Sequence, residues 1–153
     1  MANSTHHIEM DVSIYKIWSF ISSIDNWAVL VPGYADHSIL NDRESIWKIH
    51  GDIGIINRTV NLNVTITEWV EPANIRFHLT GLNEACIGEG YFQASALSDQ
   101  KTMVTGFLSV SVKGMMGPMI NPILKTIVPK VGKNLTEKVK AEIIEQEKLR
   151  VTV

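Results

Sequence analysis

The stretch RTVNLNVTITEW, from Arg58 to Trp69, alternates between apolar and polar residues almost without a break. Val60, Leu62, Val64 and Ile66 fall on one side; Thr59, Asn61, Asn63, Thr65 and Thr67 fall on the other. A period of two marks a strand with one buried and one wet face. After a turn at Glu71-Pro72-Ala73-Asn74, IRFHLTGL repeats the pattern, with Ile75, Phe77 and Leu79 inward and Arg76, His78 and Thr80 outward. HSIL, SIWKIHG, GYFQASAL and TMVTGFLSVSVKG read as further strands, with turns at Asn41-Asp42 and around Ser98-Asp99-Gln100. Short strands joined by tight turns pair antiparallel.

The flanks carry a different period. THHIEM reads as a first strand, and Asp11 or Ser13 then offers an oxygen to cap a helix. Ile14, Ile17, Trp18 and Ile21 follow at helical spacing. A second short helix starts near Asp25, carries Trp27, Leu30 and Val31, and ends at Pro32-Gly33. At the other end Ile123, Ile127, Val131, Leu135, Val139 and Ile143 recur every four residues, and Leu124 and Val128 widen the stripe. This predicts one long helix, capped by Asn121, with Pro122 in its first position and a kink or a lost bond at Pro129. The order is strand, two short helices, six strands and one long helix, an α+β arrangement. The sheet needs a cover on its apolar face, and the terminal helix is the element large enough to supply it.

Length and charge narrow the classes. The 153 residues fit a single domain over 1–153 with room for a substantial core. Net charge is −2 with Lys and Arg spread along the chain, whereas a nucleic-acid partner needs a concentrated basic face. Cys86 is the single cysteine, so no internal disulfide forms. No basic segment followed by an apolar run opens the chain, and every long apolar stretch is interrupted. The expectation is a cytoplasmic protein.

One segment stands apart. VKGMMGPMINPILKTIVPK, from Val112 to Lys130, spends three methionines and three prolines where strand passes into helix. Methionine repacks around varied shapes, and Gly114 and Gly117 bracket the segment with backbone freedom. Three roles are open for Met115, Met116, Met119 and Ile120: covering a cavity mouth, packing as a helix lead-in, or entering a lipid surface.

The ordered set of elements resembles the helix-grip superfamily of START domains, birch-pollen-allergen-like proteins and polyketide cyclase-like proteins (SRPBCC). Its closest likeness is to the CoxG family associated with aerobic carbon monoxide dehydrogenase. The residues carrying it are IYKIWSFISSIDNWAVLVPG, the loop LTGLNEACIGEGYF, and the last strand running into VSVKGMMGPM and a closing helix. Some CoxG-like proteins continue into a C-terminal membrane-attachment segment. This sequence ends at Val153, so the expectation carries no such anchor.

The resemblance implies a curved antiparallel sheet of about seven strands gripping the last helix, with an apolar cavity between them that binds a lipid, a quinone or a similar molecule. Combined with the inward stripes, it assigns the cavity lining to Trp47, Ile49, Leu62, Val64, Ile66, Phe77, Leu79, Phe92, Leu108 and Val110 from the strands. Leu124, Ile127, Val128 and Val131 line it from the helix. Small inward residues such as Gly90 and Ala94 are expected to leave further space. Gly114, Met115, Met116, Gly117, Met119 and Ile120 become a gate. Transient contact with a membrane or a redox enzyme is a further expectation.

Catalysis has weaker support. His6 and His7 are neighbours on a strand and point to opposite faces; His37, His50 and His78 fall at outward or turn positions. No HExxH or CxxC spacing occurs, so neither metal nor cofactor is expected. Cys86 sits in a loop between Glu84 and Glu89, and Arg76 points outward by its strand phase. Binding is the first reading. A polyketide cyclase-like or dehydratase-like enzyme and an assembly factor for a redox enzyme are the alternatives.

Overall fold

The computed structural model describes residues 2–53, 56–82 and 85–151. Strand β1 (Ala2–Met10) leads into helices α1 (Ile14–Ile21) and α2 (Ile24–Ala28). Six strands follow: β2 (Tyr34–Ile39), β3 (Glu44–Ile53), β4 (Ile56–Val70), β5 (Asn74–Gly81), β6 (Cys86–Ser98) and β7 (Lys101–Val112). A single 3-10 turn, Gly114–Met116, opens into helix α3 (Gly117–Val151). The strands form one antiparallel sheet in the order β1-β7-β6-β5-β4-β3-β2.

The two short helices are fixed by their ends. The Ser13 hydroxyl accepts from the Lys16 amide and caps α1, whose buried face is Ile17, Phe20 and Ile21. The last carbonyls of a helix lack intrahelical donors. Here α2 supplies them: the Asn26 side-chain amide donates to the Phe20 carbonyl at 3.0 Å, and the Trp27 indole N–H donates to the Ile21 carbonyl at 3.0 Å. Trp27 thereby enters the concave face of the sheet. Its ring lies 5.5 Å from Trp47 on β3, 5.5 Å from Phe77 on β5 and 5.2 Å from Phe92 on β6.

α3 crosses the other side of the concave face, packed against β1 and β7. Small residues allow the approach. A Cβ at Gly106 of β7 would stand 2.5 Å from the Thr136 hydroxyl, and one at Gly132 of α3 would collide with Ser4 of β1. The second half of the helix is core, with Val139 and Ile143 buried beside Val104, Met10 and Ile17.

Two expectations need correction. The helix starts at Gly117 rather than at Asn121, and it runs through both Pro122 and Pro129. Each proline lacks an N–H, so one carbonyl in each preceding turn loses its usual donor. Gly90 leaves no spare room, because the Phe77 ring already occupies the place where its side chain would be. A Cβ there would meet Phe77 at 2.5 Å and the Phe107 carbonyl at 2.7 Å.

Gly90→Ala is therefore expected to lower stability by about 1–3 kcal/mol through overpacking. A urea titration followed by tryptophan fluorescence reads it. An unchanged midpoint would mean that the ring moves aside without cost.

Candidate functional site

The strand pairing settles which residues share the concave face. Leu62 stands opposite Trp47, Val64 opposite Leu79, Ile66 opposite Phe77, and Phe77 opposite Gly90, which in turn faces Leu108. Ile49, Phe92 and Val110 lie on the same side by the same registers. A bulge between Ile66 and Glu68 shifts the phase of β4, so that Trp69 also turns inward opposite Ile75. A bulge bends the strand and raises its twist, which deepens the concavity.

The expected lining divides in two. Trp47, Val64, Ile66, Phe77 and Phe92 are buried in the core around Trp27. Ile49, Leu62 and Leu79 are half-buried at the margin of that core. Leu108 and Val110 on β7, and Leu124, Ile127 and Val131 on α3, are half-buried and outside it. Val128 is buried, also outside the main core. The concave face is thus packed solid around Trp27 and is apolar but incompletely covered toward the first half of α3. A separate pocket of about 160 Å³ lies between α1, α2 and the far end of α3. It is lined by Lys16, Ser19, Phe20, Asn26, Ile143, Gln146 and Glu147, none of them in the expected lining.

The methionine segment is neither strand nor core. Gly114 makes the turn out of β7 with φ of +75°, a conformation that glycine adopts without steric cost. Met115 is 97% exposed, and Met116 and Met119 are about half exposed. None of the three is buried as core, and Met116 and Met119 are only half covered. Ile120 is half-buried. Gly117 has an ordinary helical φ of −53°, but a Cβ on it would stand 2.7 Å from the Val112 carbonyl. Asn121 is a clamp rather than a cap. Its side-chain oxygen accepts from the Val112 amide at 2.8 Å and its side-chain amide donates to the Val112 carbonyl at 3.0 Å. The side chain thus imitates a neighbouring strand and ties the first turn of α3 to the end of β7.

The polar candidates are more scattered than the apolar ones. His6 faces α3, 4.0 Å from Glu137, while His7 faces the opposite side and bonds Thr105 at 2.8 Å, so the two point apart as their spacing demands. Arg76 is outward, over the Tyr91 ring and 3.5 Å from Glu68. His50 and His78 are exposed. Cys86 is not in a loop: it begins β6, opposite Val112, on the concave side and half-buried. Glu89 is exposed on the outer side, and Glu84 lies outside the described residues.

His37 overturns its expected outward placement. A second bulge, between Tyr34 and Asp36, lets Tyr34 and His37 share the concave side of β2. The Tyr34 hydroxyl lies 2.6 Å from His37 Nδ1, and His37 Nε2 lies 2.6 Å from an Asp25 carboxylate oxygen on α2. The His37 side chain is 11% exposed and Asp25 is open to solvent. The strand pattern gave no sign of this trio, because strict alternation counted from Tyr34 puts His37 on the other face, and only the extra residue at the bulge brings the two together. Trp27 was equally hard to see, as one apolar position among several on a short helix.

A protein-family model matches residues 1–148, nearly the whole chain, so the chain belongs to one family over that length. Its curved sheet, short helices and closing helix form a START-like helix-grip fold. It is similar to a conserved protein from Geobacillus kaustophilus (15% identity, 94% of this chain and 95% of that one, TM-score 0.79). It is also similar to a START superfamily protein from Mycobacterium smegmatis (18% identity, 95% and 99% covered, TM-score 0.71). A third likeness is to the Zhui aromatase/cyclase from Streptomyces sp. R1128 (12% identity, 97% and 94% covered, TM-score 0.65). No curated protein sequence matches the chain.

Asn121→Ala removes two hydrogen bonds, so a loss of roughly 1–3 kcal/mol is expected at the β7–α3 junction. Hydrogen exchange should show the Val112 amide opening faster while the amides of β3–β5 keep their rates. Uniform acceleration across the sheet would show that the clamp is global rather than local.

Proposed function

We propose that the protein binds one lipophilic small molecule between the concave face of its sheet and the first half of α3. The observation that carries this reading is the set of half-buried apolar side chains on the concave face of the sheet and on the first half of α3. Ile49, Leu62, Leu79, Leu108 and Val110 stand on the sheet, and Leu124, Ile127 and Val131 stand on the helix. Exposed apolar area costs about 25 cal/mol per Å². A guest that covers both surfaces recovers that cost, and apolar pockets with few polar groups are the usual form of small-molecule sites. The segment from Gly114 to Ile120, with Met115 exposed and hung between a glycine turn and the Asn121 clamp, serves as the gate. The likeness to the CoxG family favours a quinone or similar lipid as the guest and a membrane redox enzyme as its client. Such a protein works in the cytoplasm and meets the membrane only at its surface; among the described residues no helix is long and apolar enough to cross one.

The second reading, an enzyme of the polyketide cyclase kind, draws support from the likeness to an aromatase/cyclase and from the Asp25–His37–Tyr34 trio at the edge of the concave face. The third, docking on a partner as an assembly factor, draws support from the exposure of Met115.

The test is titration with Nile red, a neutral lipophilic probe whose fluorescence rises in apolar surroundings. Saturable binding at one probe per chain is expected. Ile127→Trp, which fills the space from the helix side, is expected to weaken it at least tenfold with the fold intact by circular dichroism. Absent binding, or binding indifferent to Ile127→Trp, would reject the site. Native mass spectrometry with solvent extraction of the purified protein then identifies the resident molecule.

A further inference from the structure

The Asp25–His37–Tyr34 trio is more organised than a structural tie requires. Three side chains from two elements meet through two contacts of 2.6 Å. The Asp36 carboxylate accepts the His37 backbone N–H at 2.9 Å, which fixes the strand beneath the ring. The Trp47 ring lies 6.4 Å from the imidazole and forms an apolar floor. An imidazole held this way has defined roles for its nitrogens. The Asp25 carboxylate is an acceptor only, so Nε2 carries a hydrogen toward it. In the neutral ring Nδ1 then has a lone pair, and the Tyr34 hydroxyl donates to it. The phenolic oxygen keeps its own lone pairs for another donor.

Position gives those lone pairs a purpose. Tyr34 pairs with Ile49 across the strands and packs against the apolar core on the same face as Ile49 and Leu62. The order Tyr34, His37, Asp25 runs from the apolar wall to a carboxylate that is 65% exposed. It is a relay from the interior margin to water.

We infer that Tyr34, backed by His37 and Asp25, is an acid–base site for a ligand carrying an acidic hydroxyl, a phenol or an enol, held on the concave face. The ligand hydroxyl donates to the Tyr34 oxygen. As its proton passes to that oxygen, the Tyr34 proton passes to His37 Nδ1. The product is a ligand oxyanion hydrogen-bonded to neutral Tyr34, beside an imidazolium whose charge Asp25 balances. No proton is lost and no other reactant is needed. Positioned proton transfer of this kind is how a general base works, and the geometry required is hydrogen-bond reach. Tyr34 is the group that touches the ligand; His37 and Asp25 position and charge it.

The inference rests on the concave face being a ligand site, and the experiment separates the two. The probes are 4-nitrophenol, whose phenolate absorbs at longer wavelength than the phenol, and 4-nitrotoluene, which has the same ring and no hydroxyl. Binding is measured for both by competition with Nile red, and the ionisation of bound 4-nitrophenol is read from its spectrum at a pH where the free phenol is largely neutral. The wild type is expected to bind 4-nitrophenol at least tenfold more tightly than 4-nitrotoluene and to show the phenolate band. Tyr34→Phe and His37→Gln are each expected to lose the band and the tenfold preference while keeping 4-nitrotoluene affinity. Asp25→Asn, at an exposed position, should reduce the band without disturbing the fold, which guards against loss through misfolding of the other two. If 4-nitrotoluene binds and the phenolate band is absent in the wild type, or survives unchanged in Tyr34→Phe, the acid–base site is wrong and the apolar site stands. If neither compound displaces Nile red, both fail.

Discussion

The indole of Trp27 is the point on which the sheet, α1 and α2 all depend. Its N–H satisfies a carbonyl at the end of α1, and its ring touches side chains from three strands. Tilted and edge-on ring contacts at such separations add to the gain from burial alone. A strongly bent sheet with nothing in its hollow would collapse or flatten. Trp27 is the wedge that holds it open, and it does so from a helix only five residues long. Everything on the concave face is therefore set out relative to one ring.

The wedge also divides the face. Around it the rings of Trp47, Phe77 and Phe92 close the space, and the glycine at position 90 exists because Phe77 needs its room. Farther along, α3 leans on β1 and β7, and its first turns leave aliphatic side chains partly bare. One end of the hollow is thus a core and the other an unfinished one. On the proposed binding reading this asymmetry has a use: the packed end would keep its shape without a guest, and the unfinished end would take its cover from one. The Asn121 clamp sits at the boundary, where it steadies the start of α3 without adding apolar contact.

Much of this was readable from the amino-acid pattern. The alternation of RTVNLNVTITEW and IRFHLTGL gave the central strands and their inward residues, because a period of two survives in any sheet with one wet face. The every-fourth spacing from Ile123 to Ile143 gave the long helix. The helix-grip architecture followed from their order. What could not be read were features set by contact between distant segments. Asn121 looks like a cap in sequence, and its true partner is Val112, already in another element. Gly90 looks like a space and is a place filled by a neighbour's ring. His37 and Tyr34 fall on opposite faces by strict alternation until a bulge moves the register by one, and register is a property of two strands rather than one. The division of the lining into packed and half-covered residues was hidden for the same reason. Every member is an apolar residue on an inward stripe, and only the position of the Trp27 ring tells them apart.

The bulge in β2 reaches beyond the placing of His37. β2 is an outer strand of the sheet, and outer strands offer unpaired backbone groups to any passing chain. This one is six residues long, kinked between Tyr34 and Asp36, and carries an acidic side chain at the kink. A foreign strand arriving there meets a broken hydrogen-bonding ladder and a negative charge instead of a flat template. The irregularity that brings a phenol and an imidazole together thus also makes this edge a poor template for an added strand.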